Sequence, residues 1–140
     1  MAAASTAWPP DVFRQLRPYW CGPAALVALQ LELGRGPQLS QAEWAELAGT
    51  TREGTGERGL QRCVRLLAPF RVVHRPAEPF DLAIVYDAWR DHWITVRCVD
   101  GMALMLDPWD GQIECYPWPW FRAVFFLIPR LAYALVISSR

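Results

Sequence analysis

Apolar residues fall at helical spacing in the first half of the chain and gather into short β-rich runs in the second. Leu26, Leu29 and Leu33, with alanines among them, predict a helix over Cys21 to Leu33 that stops at Gly34. Pro23 lies in its first turn, where a missing N–H costs nothing. Ser40 followed by Glu43 is a capping box opening a second short helix that closes near Gly49. Leu60, Cys63, Val64 and Leu67 predict a third, from about Glu57 to Leu67, after a Gly-Thr-Gly loop at Gly54 to Gly56.

Beyond Pro69 the runs FRVVH, LAIVY, HWITVRCV and MALML read as strands bounded by proline, glycine and aspartate. The fold class expected is therefore α+β, with N-terminal helices packed on a C-terminal antiparallel sheet. Asp100-Gly101 suits a two-residue hairpin turn, so Val99 should pair with Met102. Counting back along both strands sets His92 opposite Trp109 and Ile94 opposite Asp107, all on one side of the sheet. Asp107 is then a diagonal neighbour of His92, within reach of a side-chain hydrogen bond. Val96, Cys98, Ala103 and Met105 complete that face and suit packing on a helix.

The chain's 140 residues fit one domain, 1–140, large enough to bury about two-thirds of the surface exposed when unfolded. Fourteen basic residues balance fourteen acidic ones, which leaves no field for nucleic acid or an anionic membrane. The opening MAAASTAWPPDVF has neither a basic start nor a sustained apolar stretch, so a secretory signal is not expected and a cytoplasmic location is. The longest apolar run, Ala123 to Ile137, is broken by Pro129 and Arg130 and reads as core, not as a membrane span. Four separated cysteines, Cys21, Cys63, Cys98 and Cys115, signal neither a metal site nor a redox dithiol, and no cofactor is expected. Eight tryptophans read first as core and second as a surface for a protein partner.

Cys21 begins a helix, where unpaired N–H groups and the macrodipole favour a thiolate. With His92 to accept its proton and Asp107 to fix the tautomer, the parts of nucleophilic acyl chemistry are present. His74, the other histidine, ends a strand before a proline, lacks a placed carboxylate and reads as surface.

The segment QLRPYWCGPAAL resembles the nucleophile region of the bacteriocin-processing, double-glycine-leader peptidases, a papain-like family of cysteine peptidases. TTREGTGERGLQ is similar to that family's Gly-Thr/Ser loop and following helix, HWITV to its histidine strand and DPWDG to its Asp-Pro-x-x-Gly turn. The four pieces occur in the family's order over most of Gln15 to Gly111. The resemblance implies a papain-like fold, a peptide or protein substrate, Cys21, His92 and Asp107 as catalytic residues, and Gln15 as an oxyanion-hole donor. It also implies a narrow cleft for small residues such as a Gly-Gly leader, with the Thr55–Gly56 loop near the bound peptide; from their positions in the chain alone, Trp20 and Trp109 are the expected walls, with Gly22 and Trp93 beside the peptide. Many members carry Asp where this chain has Trp20, and the likeness fades over the first dozen and last thirty residues.

Other readings compete. Cys21 read alone is a small buried apolar residue. Asp107 read alone opens a turn, and Thr55 and Gly56 cap the third helix. A thioester handed to an amine gives a transpeptidase, and one formed from a side-chain amide gives a deamidase. A peptide-binding module keeps the cleft without activity, and an assembly protein would use the aromatic YPWPWF as its patch.

Overall fold

The computed structural model describes residues 12–128 and 130–138. The expectations resting on residues 1–11 and on Pro129 lie outside them. The first three helices, α1 (Cys21–Leu33), α2 (Gln41–Ala48) and α3 (Glu57–Leu67), have the predicted bounds. Gly34 and Gly49 end α1 and α2 in the left-handed conformation, and Ser40 and Glu43 form both hydrogen bonds of the capping box. Strands β1 (Phe70–Val73), β2 (Leu82–Asp87), β3 (His92–Val99) and β4 (Met102–Asp107) follow. Three further elements carried no sequence signal that we read: β5 (Gln112–Pro117), α4 (Trp118–Phe125) and β6 (Ala134–Ile137).

The strands form one six-stranded sheet in the order β1-β6-β2-β3-β4-β5, antiparallel at each pairing. The last strand enters between the first two because it is the most apolar segment and is buried throughout. The β3–β4 ladder runs from Val99 opposite Met102 to Thr95 opposite Leu106, the register that the Asp-Gly turn dictates.

Strand alternation gives the sheet two apolar faces. Ile84, Trp93, Leu106 and Leu135 share a core with α1, α2 and α3. Ile94, Val96, Ala103 and Met105, on the face expected to meet a helix, pack with Trp118, Phe121 and Phe125 of α4. Thus the sheet is covered on both sides, and YPWPWF is not a free patch: Trp118 and Phe121 are buried, while Trp120, stacked on Tyr116, is exposed with the two prolines.

Two buried anchors fix α1 on β3. The Thr95 hydroxyl donates to the Ala25 carbonyl at 2.7 Å, and the Arg97 guanidinium donates to Glu32 at 2.6 Å. Behind α1, the Gln30 side chain accepts from Trp44 and exchanges two hydrogen bonds with the backbone of Leu39, locking the α1–α2 connection. Helix α3 approaches the end of α2 so closely that a β-carbon on Gly59 would lie 1.9 Å from the Ala48 carbonyl oxygen. Gly59→Ala should therefore force the two helices apart and cost about 1–3 kcal/mol in urea unfolding. An unchanged midpoint and slope would refute this packing.

Candidate active site

Cys21, His92 and Asp107 come from three elements that end at the same rim. By alternation His92 shares a face with Ile94 and points away from the α1 layer, yet it is the first residue of β3, and Cys21 is the first of α1. At that shared edge the thiol and the imidazole line one cleft, near enough for Cys21 to raise the His92 pKa. The Trp93 backbone N–H also points at the Cys21 sulfur, at 3.5 Å. Trp20 at the N-cap supplies no side-chain cap to α1, so the Cys21 and Gly22 N–H groups at its start receive no side-chain acceptor, while Ala24 N–H bonds the Trp20 carbonyl.

His92 Nε2 lies 2.9 Å from Asp107 Oδ1, so Nε2 carries the proton it donates there and Nδ1 is left for the thiol. Burial works against a charged ring, but the Asp107 hydrogen bond and carboxylate, together with the neighbouring Cys21 sulfur, outweigh it and push the His92 pKa up to about 9. Burial likewise opposes ionisation of Asp107. The His92 hydrogen bond, the Trp109 backbone N–H at 3.0 Å and the Arg90 guanidinium together hold its carboxyl below the usual range. The Trp109 indole stands edge-on to the imidazole, centroids 6.5 Å apart, and is 63% exposed, a partial roof.

In front of Cys21 and His92 opens a cleft of about 400 Å³. Its remaining walls are Pro18, Tyr19, Arg52, Glu53, Gly54, Arg90, Asp91 and Trp109. Of the residues expected along the peptide, Trp109 lines it directly. Trp93, Gly22 and Thr55 are buried behind it: the Trp93 indole donates to the Thr55 carbonyl, and a β-carbon on Gly22 would lie 2.4 Å from Thr55 Oγ1. Thr55 bonds to the Thr50 hydroxyl and does not cap α3, whose N-cap is Gly56 without any side-chain bond. Trp20 is half-buried with the Arg17 guanidinium over its ring.

Gln15 is tied to the site through its backbone, which donates to the Pro108 carbonyl at 2.7 Å. Its side-chain amide turns inward and donates to the carbonyls of Arg17 and Pro18 at 2.9 and 2.8 Å, leaving Oε1 buried without a partner. In this conformation both amide protons are used within the Gln15 turn.

Sequence reasoning missed Asp87 and Arg90, which extend the charged chain beyond Asp107. The signal was present. DAWRD and DPWDG are the same turn written twice: each opens on Asp, whose Oδ1 accepts the backbone N–H of the tryptophan two residues on, at 3.0 Å in both. The fifth residues, Asp91 and Gly111, both have positive φ. The tryptophans were also misjudged as a class, since Trp44, Trp93 and Trp118 are core but Trp89, Trp109 and Trp120 are 57%, 63% and 46% exposed. His74 is exposed and bonds the Ala132 carbonyl, far in function from any carboxylate.

All four cysteines are free. Burial pushes the Cys98 thiol up to about 12 and raises that of Cys63, which sets both apart from a reactive role. Among the described residues no group of three or more histidine, cysteine, aspartate or glutamate side chains is placed to hold a metal ion, and no helix is long and apolar enough to cross a membrane.

The raised His92 pKa has a defined sign in stability. Its contribution is complete below the ordinary value of 6.5 and is lost as pH rises through about 9, whereas that of Asp107 is lost only as pH falls into the acid range. Urea unfolding should therefore show stability declining from about pH 6.5 past 9, a decline flattened in Asp107→Asn. Equal slopes in the two proteins would contradict the pairing.

Searches against protein-family models and against curated proteins return no match. Among solved structures the chain is similar to the peptidase domain of Streptococcus ComA, a bifunctional ABC transporter involved in a quorum-sensing pathway. The likeness has a TM-score of 0.68 at 17% identity and covers 91% of this chain and 96% of that one. At that identity it establishes the fold, which is that of a peptidase domain.

Proposed function

We propose that this chain is a single-domain, papain-like cysteine peptidase that cleaves peptide bonds through an acyl-enzyme on Cys21. The observation that carries the reading is the buried His92, which lines one cleft with the Cys21 thiol and is hydrogen-bonded to Asp107. The likeness to a peptidase domain supports it independently through the fold.

In the proposed reaction the Cys21 thiolate attacks the peptide carbonyl, and the imidazolium of His92 gives its Nδ1 proton to the departing amine. Water then adds to the thioester as His92 takes one of its protons, and the C–S bond breaks to release the acid and restore the Cys21 thiolate beside the His92 imidazolium. Asp107 keeps Nε2–H engaged, so that Nδ1 is the nitrogen that cycles. The Cys21 backbone N–H faces the developing oxyanion, and one such donor is commonly worth about 3–4 kcal/mol of the barrier. Gln15 joins it only after its amide leaves the Arg17 and Pro18 carbonyls, a rearrangement we assign to substrate binding. The substrate is a peptide or protein, cut after small residues as at a Gly-Gly leader, in the cytoplasm. No cofactor takes part.

One observation favours a second reading, a peptide-binding module without activity: the inward-turned Gln15 amide leaves the oxyanion site with a single donor. Alkylation separates the two. At mildly acidic pH an ordinary thiol with pKa about 8.5 is almost unreactive to iodoacetamide. Mass-spectrometric mapping should find Cys21 labelled ahead of the exposed Cys115, and His92→Ala should abolish the preference. Equal, slow labelling of Cys21 and Cys115 would instead favour the binding module.

A further inference from the structure

Asp87 and Arg90 take no part in the reaction above, yet they touch its carboxylate. Asp87 closes β2 opposite His92 and is 1% exposed. Its Oδ1 accepts the Trp89 N–H, and its Oδ2 accepts Arg90 Nε at 2.7 Å. The same guanidinium reaches Asp107 Oδ2 through Nη2 at 3.1 Å, while Asp107 Oδ1 holds His92. Charges thus alternate along one line: Asp87, Arg90, Asp107, His92.

Two buried carboxylates bound to one guanidinium are close neighbours, and without a positive charge between them they do not both stay ionised. Each Asp has one oxygen committed to its own turn, so only Oδ2 of each is left for the shared cation. A planar guanidinium offers two separate N–H directions to two acceptors, which a lysine ammonium on a flexible stem does not fix.

We propose that Arg90 is a positioning residue of the candidate site: by bridging Asp87 and Asp107 it keeps Asp107 ionised and turned with Oδ1 on His92, and Asp87 is the reason an arginine is needed. The role of the His92–Asp107 pair in catalysis rests on the peptidase reading, but the clamp itself does not. The ionisable groups around His92 are Cys21 from α1, Asp107 from β4, and Asp87 and Arg90 from the β2–β3 hairpin, with Asp91, Arg52 and Glu53 also on the cleft.

The test compares wild type with Arg90→Gln, Arg90→Lys and the double variant Asp87→Asn/Arg90→Gln. NMR titration of the His92 ring, one of only two histidines, is read beside the Cys21 alkylation rate. Asn at 87 keeps an oxygen for the Trp89 N–H and removes only the charge. Arg90→Gln should add an acid-side step to the His92 titration, because Asp87 and Asp107 then face each other without a cation between them. It should also slow Cys21 alkylation about tenfold, the equivalent of one pKa unit. Arg90→Lys should fall between, and the double variant should lose the extra step and recover the rate. A titration of Arg90→Gln identical to wild type, or a double variant no better than the single one, overturns the clamp. If Arg90→Gln does not fold, a folded double variant with a wild-type titration supports the clamp and an unfolded one overturns it. If the titrations follow this pattern but wild-type Cys21 is not preferentially alkylated, the clamp stands and the peptidase reading falls.

Discussion

The seating of α1 on β3 is the constraint on which the rest of the molecule depends. A helix start and a strand start carry the thiol and the imidazole, so their meeting is set by how far the helix slides along the strand. Thr95 and Arg97 remove that freedom by holding Ala25 and Glu32, two turns apart on the helix. A buried hydroxyl and a largely buried ion pair stabilise little by themselves, because each gives up solvation to form. Their effect is directional: in any other register the Thr95 hydroxyl is buried away from the Ala25 carbonyl and Arg97 no longer meets Glu32.

The same logic runs through the charged line at the rim. An imidazolium sheltered from water is stable only against a carboxylate, and the carboxylate only against further donors. Asp107 meets that requirement with three, from His92 and Arg90 of the β2–β3 hairpin and from Trp109 of its own turn. The two five-residue turns supply the geometry. They place Asp87 and Asp107 at the ends of strands flanking β3 and send their tryptophans outward, Trp109 over the imidazole and Trp89 to the Val124 carbonyl beside α4.

Much of this was legible in the sequence where a local rule fixes a long-range result. Asp100-Gly101 determines a turn, the turn determines the register, and the register brings Asp107 to His92. Caps and glycine stops gave α1 and α2 for the same reason. The chain beyond Gly111 was not legible. The polar edge strand β5 has no buried alternation, α4 hides behind Pro117 and Pro119, which read as turn formers although a helix admits proline in its first turn, and β6 was merged into one apolar run. Those elements exist because the far face of the sheet needs cover, a tertiary demand that no local window expresses. Arg90 was missed for a related reason, since its partners are set by two turns whose likeness is visible only when both are compared.

The central claim is that Cys21 is a nucleophile served by His92. Incubating the protein with a library of unstructured peptides and sequencing the products tests it most directly. The account predicts new amino termini with wild type, and none with Cys21→Ala or His92→Ala. Peptides returned intact by wild type, or cleavage that survives Cys21→Ala, would contradict it.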